Sequence, residues 1–442
     1  MKYPAYPSYN PSGVEWLGEV PEHWEVKGLR YVCRFAYGDA LAAENREDGE
    51  IPVYGSNGMV GTHISANTRK PALIIGRKGS HGKVNYSECA AFAIDTAYFI
   101  DERHTANNLR WLFYLLGTVG LDAVTNDSAV PGLAREDAYS HFVATPPADE
   151  QRTIADFLDR QTATLDTLIA KKRALIERLK AKRTALISRT VTCGLPPEAA
   201  RAAGFDPQPK MKDSGIEWLG EIPEHWEATR LKFVVLSIEQ GWSPDCHSYA
   251  ADENQWGVLK AGCCNNGWFR PDENKALPSE LEPLADLEIQ PGDILMSRAN
   301  GSEELIGSAA LVPSVCRSRL LLSDKTYRIR TNTGKAIPDY LTYLLQSSLG
   351  RFQIKQVISG ASGLAKNIAQ SDVKNFLFPL PTTQEQHAIA AYLDRETAKL
   401  DALAAKVEQA IKRLQDYRTA LITAAVAGKI DVRGWQEKRE AA

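Results

Sequence analysis

No stretch of this 442-residue chain stays apolar for anything near the roughly 18 residues that a membrane-spanning helix needs. Met1-Lys2-Tyr3-Pro4-Ala5-Tyr6-Pro7 also lacks the apolar core of a secretory signal, so a cytoplasmic protein is expected. Cysteine is scarce and unpatterned: there are 7, an odd number, with an adjacent pair Cys263-Cys264 but no C-x-x-C spacing. That argues against a zinc site and a disulfide framework, and for a reducing compartment. The net charge is only −3, so the basic excess usual for a lone nucleic-acid binder is missing as well. What remains, 44% apolar and 24% charged residues, is the balance of a soluble globular protein long enough for two to four domains.

Motifs that would carry chemistry are equally thin. Gly76-Arg77-Lys78-Gly79-Ser80-His81-Gly82-Lys83-Val84 has five residues, not four, before its Gly-Lys pair, and Val84 stands where Ser or Thr must meet magnesium. Pro271-Asp272-Glu273-Asn274-Lys275 has no spacing between its acidic residues and is expected to be a solvated loop. There is neither an Asn- or Asp-Pro-Pro-aromatic methyltransferase loop nor a glycine-rich fingerprint for S-adenosylmethionine or a dinucleotide. No catalytic residue, metal ligand or cofactor is therefore assigned to this chain.

What is present is repetition. Ser12-Gly13-Val14-Glu15-Trp16-Leu17-Gly18-Glu19-Val20-Pro21-Glu22-His23-Trp24-Glu25-Val26 returns as the stretch from Ser214 to Ala228 with three changes, Val14/Ile216, Val20/Ile222 and Val26/Ala228, all apolar. The Trp-x-x-x-x-Pro-x-x-Trp frame of this box is expected to pin a domain edge by burying its two indoles, and no chemistry is claimed for Glu22, His23, Glu224 or His225. A second repeat begins at Glu150-Gln151 and at Glu385-Gln386, an offset of 235 residues that also aligns Leu165-Asp166 with Leu400-Asp401 and Arg183-Thr184-Ala185-Leu186-Ile187 with Arg418-Thr419-Ala420-Leu421-Ile422. The chain is thus a tandem of two units, each a box, a variable globular region and a long helix. The boundaries expected are a first globular domain over 1–148, a helix over 149–193, a linker over 194–213, a second domain over 214–382, a helix over 383–428 and a tail over 429–442. Pro and Gly in the linker are expected to break any continuous helix.

The variable regions share no continuous identity, yet their elements run in one order. Ala72-Leu73-Ile74-Ile75, Ala91–Ile94 and Ala97–Ile100 read as short strands, and Asn108–Leu116 as a helix. Pro291–Ser297 reads as a turn and strand, Lys325–Arg330 as an alternating strand, and Pro338–Leu345 as a helix with Pro near its start. Mixed α/β domains follow.

The long helices carry a heptad pattern, which argues for a coiled coil. Leu158, Leu165, Lys172, Leu179 and Leu186 recur every seven residues, with Leu168, Leu175 and Lys182 as companions. Leu393, Leu400, Val407, Leu414 and Leu421 match them, with Leu403, Ala410 and Tyr417. Lys172 and Lys182 then stand as polar defects that restrict register or partner choice. A duplicated unit closes most easily about a pseudo-two-fold axis, which makes the helices antiparallel. Lys171 to Arg189 carries eight basic residues against Glu177 alone, a solvated face or a contact for phosphate or an acidic partner.

Polar loops after corresponding strands suit double-stranded DNA. In the first unit these are Arg77, Lys78, Gly79 and Ser80; in the second Ser297, Arg298, Asn300 and Ser302. Arginine can grip guanine and asparagine adenine through paired hydrogen bonds, while Gly and Ser let the backbone approach phosphate. Tyr54, Asn57, His81, Lys260, Lys325, Lys366 and Asn367 are further candidates.

Together the two Trp-Leu-Gly-Glu-Val/Ile-Pro-Glu-His-Trp boxes, the strand-loop elements and the Pro-Pro-x-x-Glu-Gln helix start resemble the specificity subunit of type I restriction-modification enzymes. The resemblance covers nearly the whole chain, with one departure: Thr382-Thr383-Gln384 replaces the second proline before Glu385. It implies two target-recognition domains, each reading half of a bipartite DNA sequence, separated by an antiparallel coiled coil. It also implies two modification (methyltransferase) subunits that use S-adenosylmethionine, restriction subunits that use ATP and Mg, and no catalysis in the chain itself. A stand-alone DNA-binding regulator, an enzyme with an unrecognised site and a purely structural coiled-coil adaptor are the competing readings.

Overall fold

The computed structural model describes residues 3–123, 132–358 and 366–435. The chain divides into two compact units, residues 1–173 with 408–442, and residues 174–407. Each is described by itself.

In the first unit an antiparallel four-stranded sheet runs in the order Ala36–Tyr37, Ala97–Ile100, Ala72–Gly76, Val84–Ser87. A smaller sheet orders Gly58–His63, Ile51–Gly55 and Phe92–Ala93, the last pair parallel. The second unit repeats this strand for strand: Val235–Gln240, Thr326–Thr331, Ile294–Ser297, Ala309–Leu311, and then Asn274–Ala276, Gly257–Leu259, Leu320–Leu321, again with the last pair parallel. One topology is thus encoded by two variable regions that share no continuous identity. The apolar run Ala72–Gly76 is buried throughout because it lies between two strands with both faces covered. Leu109–Leu116 forms the expected helix, started by Asn108, whose Oδ1 accepts from Trp111 N at 2.9 Å.

Alternation misleads at Thr326–Thr331. Arg328, which period two would send to solvent, is only 2% exposed. Its Nε donates to Glu239 Oε2 at 2.9 Å, and its Nη atoms donate to the carbonyls of Glu288 and Asp286. Burial alone would raise the Glu239 carboxyl, but hydrogen bonds from Ser237 and Arg328 outweigh it and hold the group below its ordinary value.

The repeated box is a clamp on the start of the long helix. Glu25–Gly28 pairs with Phe142–Thr145, the strand that leads into the helix Ala148–Cys193, and Glu227–Arg230 pairs likewise with Leu377–Leu380 ahead of the helix Thr383–Val426. This brings Trp24 Nε1 to Glu150 Oε1 at 3.2 Å and His23 Nε2 to Glu150 Oε2 at 2.8 Å. In the second unit Trp226 Nε1 meets Glu385 Oε2 at 3.0 Å, and His225 Nε2 meets the same oxygen at 3.0 Å. The glutamines that follow are anchors too. Gln151 accepts from Asn108 N and donates to Pro146 O, and Gln386 accepts from Ile337 N and donates to Pro381 O. Only the second indole of each box is buried; Trp16 and Trp218 are 40% and 37% exposed. Thr382, standing where the first copy has Pro147, caps the second helix, its Oγ1 accepting from Glu385 N at 3.3 Å.

The helices pair within each unit with opposite chain sense. Arg418 Nε lies 3.0 Å from Asp166 Oδ1 in the first unit, and Arg183 Nε lies 3.2 Å from Asp401 Oδ1 in the second. Because Asp166 matches Asp401 and Arg183 matches Arg418 in the repeat, each unit holds its own copy of the same Arg–Asp pair. The seam itself is set one residue later than leucine spacing suggests. Leu158, Leu165, Lys172, Leu179 and Leu186 lie on it, but their companions are Thr162, Ile169, Ile176, Arg183 and Thr190, all buried or half-buried. Leu168, Leu175 and Leu403 are 40%, 40% and 45% exposed, Tyr417 is 44% exposed and Lys182 is exposed. In the second helix Leu393, Leu400, Val407, Leu414 and Leu421 hold their places, with Thr397, Ala404, Ile411, Arg418 and Ala425 between them. The charged seam positions are therefore Lys172 and the two paired arginines, and Lys182 is not among them.

Gly194 and Gly428 close the long helices with φ of +87° and +69°, the left-handed geometry that glycine adopts without strain. Each sits against the buried indole of its own unit, Trp226 and Trp24. The linker is not wholly irregular: Pro197–Ala203 forms a short helix, admitted because proline at a first turn needs no donor.

Candidate nucleic-acid interface

The strongest pair of sequence candidates occupies equivalent points. Arg77 follows the strand Ala72–Gly76, and Arg298 follows Ile294–Ser297, the same strand of the second sheet. Arg77 N donates to Thr96 O at 2.9 Å and Arg298 N to Lys325 O at 2.8 Å. On their other side, Leu133 N donates to Arg77 O and Ile368 N to Arg298 O. A tyrosine locks each returning loop: Tyr98 OH donates to Leu133 O, and Tyr327 OH to Ile368 O, both at 3.0 Å. Burial, with Tyr37 adding to it, lifts the Tyr98 phenol to about 12 against the opposing pull of Arg77, so it stays a neutral donor. Both arginines are half-buried and held at the backbone.

Around Arg77 the loop exposes Lys78, Gly79 and Ser80, while His81 is half-buried and its Nδ1 lies 3.1 Å from Gly79 O. The hairpin turn at Ser56 and Asn57 joins this loop. A side chain at Gly76 would come within 2.1 Å of Ser80 O and 2.7 Å of Ser56 O, so only glycine allows the approach. Lys83 Nζ donates to Asn57 O and Oδ1 at 2.6 and 3.0 Å. Asn57 is thus tied to the loop that follows Arg77. Tyr54 does not present itself freely; it is half-buried against the cluster of Ala72, Ile74 and Phe99.

In the second unit Asn300 Oδ1 accepts from Ser302 N at 3.3 Å, Lys366 Nζ pairs with Glu303 at 2.6 Å, and Asn367 bridges Ala299 through the backbone. Lys325 is exposed and paired with Asp324 at 2.9 Å. These residues gather about Arg298. Two candidates fit less well. Ser297 is fully buried, because it ends a strand covered on both sides, and so cannot reach a ligand. Lys260 follows the strand Gly257–Leu259 of the smaller sheet, with its N–H on Glu273 O.

Sequence reasoning missed Tyr37, Arg135, Lys83 and Gln240. Arg77 and Arg135 lie over the Tyr37 ring at 4.9 and 5.1 Å. No local pattern marks Tyr37 or Gln240; both are placed by cross-strand pairing over some 60 to 90 residues. Among the described residues, no group of His, Cys, Asp and Glu could hold a metal ion, and no helix is long and apolar enough to cross a membrane.

Two equivalent arginine loops thus stand on one repeated scaffold, with different side chains around each. Comparison with known proteins supplies the class. The family model of the type I restriction modification DNA specificity domain matches residues 21–178 and again 248–413, well over half of the sequence, and the chain belongs to that family. Among curated relatives, the EcoEI specificity subunit of an Escherichia coli type I restriction enzyme is 28% identical over 47% of this chain and 34% of its own length. The EcoKI specificity subunit of Escherichia coli strain K12 is 24% identical over 65% and 57%. The chain thus spans about a third to a little over half the length of these two relatives. A solved chain of a type I R-M system, described for its complex assembly and conformational transition, superposes on 93% of this chain and 99% of its own with a TM-score of 0.55. At 17% identity that likeness is one of fold.

Proposed function

We propose that this chain is the non-catalytic DNA-recognition subunit of a type I restriction-modification system. Each unit reads one half of an asymmetric, bipartite double-stranded sequence, and the long helices set the spacer and dock two modification (methyltransferase) subunits. The observation that carries the reading is the equivalence of Arg77 and Arg298, fixed by the same backbone bonds in both units while their side-chain surroundings differ. Phosphate contacts position a reader and base contacts specify it, so a shared frame with unlike loops suits two unlike half-sites.

S-adenosylmethionine chemistry would reside in the modification subunits, and ATP and Mg in restriction subunits of the full complex. A net charge of −3 fits a chain whose partners supply much of the phosphate grip. The setting is cytoplasmic. The test is duplex binding by the purified chain with and without its modification subunits, at two salt concentrations. Weak, salt-fragile binding that becomes tight and specific on assembly is the expected result. Equally tight specific binding by the chain alone would instead make it a stand-alone regulator, and metal- or S-adenosylmethionine-dependent turnover by the pure chain would make it an enzyme.

A further inference from the structure

The arginine at the strand end is common to both units, as is a tyrosine ring near it, Tyr98 at 5.9 Å from Arg77 Cζ and Tyr327 at 6.0 Å from Arg298 Cζ, but the rest of what holds its guanidinium is not. Arg77 stacks on Tyr37, with Cζ 4.9 Å from the ring centroid, and its Nη1 donates to Asp95 O at 3.0 Å. Tyr37 is 48% exposed and stands opposite Tyr98 in the sheet register, the two ring centroids 5.1 Å apart. In the second unit the residue opposite Tyr327, the counterpart of Tyr98, is Gln240. Gln240 Nε2 donates to Asp324 O at 3.3 Å, and Arg298 Nη1 donates to that same carbonyl at 3.4 Å. Arg298 Nε is held by Tyr327 OH at 3.2 Å, a contact along the guanidinium edge with no stacked ring at the place of Tyr37.

A guanidinium reads a base through two parallel N–H groups only when its plane lies with the base edge, so whatever fixes the plane fixes the readout. An aromatic face fixes the plane by stacking, and Arg77 has in addition one Nη donor on a carbonyl. A shared carbonyl occupies one donor and fixes the edge.

We infer that Tyr37 and Gln240 are positioning residues, each aiming the arginine of its own unit, so that one arginine position reads two different half-sites. The inference rests on the DNA-recognition reading above. It goes beyond that reading by assigning the difference between half-sites to a side chain one strand away from the arginine.

The test uses the chain assembled with its modification subunits and duplexes carrying single-base changes in either half-site, the wild-type site having first been defined by mapping methylated bases. Tyr37→Leu keeps apolar cover but removes the π face. It should weaken binding about fivefold, the scale of an exposed cation–π contact, and relax discrimination at one base position on the order of tenfold, in one half-site only. Tyr37→Phe should restore both. Gln240→Leu should alter the other half-site alone. Unchanged discrimination in Tyr37→Leu, or an equal loss at both half-sites, would overturn the inference while leaving DNA recognition standing. A wild-type complex without any sequence preference would overturn both.

Discussion

Removing the carboxylate of Glu150 should loosen the first unit more than the same change at Glu385 loosens the second. Glu150 is 5% exposed and accepts from Trp24 Nε1, from His23 and from Tyr6 OH. Trp24 and Tyr6 are themselves 5% and 4% exposed, so neither donor can turn to water, whereas His23 at 40% can. A buried donor left without an acceptor costs about 1–3 kcal/mol. Two of them place Glu150→Ala at about 2–6 kcal/mol of local stability. Glu385 serves the wholly buried Trp226 and the half-exposed His225, so Glu385→Ala strands one buried donor and should cost about 1–3 kcal/mol. Glu150→Gln keeps an acceptor oxygen and should lose roughly 1 kcal/mol. Because the chain has two units, a global unfolding curve would mix them, and the local quantity is the opening free energy of the box. Hydrogen-exchange mass spectrometry on peptides covering residues 19–28 and 221–230 reads it for each unit separately. An effect below roughly 1 kcal/mol for Glu150→Ala, or a larger effect for Glu385→Ala, would refute the view that the repeated Glu is a buried acceptor for the box.

Three further expectations follow from the packing. Burial would raise the Asp101 carboxyl, but bonds from the Arg103 side chain and the Arg69 and Arg103 backbones hold it down at about 2, against an ordinary 3.8. A depressed carboxyl stabilises above its unfolded value, so that contribution should fade as pH falls from about 4 to about 2, and acid titration of Asp101→Asn should lack this component. Reversing one seam charge, Arg183→Asp, should destabilise the second unit by about 1–2 kcal/mol by setting two carboxylates together, and adding Asp401→Arg should recover most of the loss, as a double-mutant cycle would show. Deleting one heptad between Glu150 and Val191 should change the permitted spacer or abolish assembly; methylation mapping that shows the original spacing would defeat the ruler role of the helices.

The parts of this fold that could be read from sequence are those in which a signal repeats or is local. The boxes and the Glu-Gln starts announce themselves because the same buried contact is made twice, His23 and Trp24 on Glu150 and His225 and Trp226 on Glu385. Strands such as Ala72–Gly76 are legible because both faces are covered and every residue is apolar. The seam register is not, because Leu168 and Leu175 mimic a companion position while the true one carries Ile169, Ile176 and a paired arginine. Leucine spacing registers hydrophobicity but not which of two adjacent stripes finds a partner. Arg328 breaks the alternation of its strand because local carbonyls and Glu239 satisfy its charge, which no period reveals. At the candidate interface, Arg77 and Arg298 are visible as loop arginines after strands, whereas Tyr37 and Gln240 become neighbours only through long-range pairing. Ser297 looked suitable by composition, yet its position at the end of a covered strand removes it from the surface.

The most direct test of the central claim is to map methylated sites in cells carrying the partner genes with the wild-type chain, with Arg77→Ala and with Arg298→Ala. Two units that each read one half-site should give sites relaxed in one half for the first variant and in the other half for the second, each loss on the order of 1–3 kcal/mol of base discrimination. An unchanged pattern in both variants, or the same half relaxed in both, would contradict it.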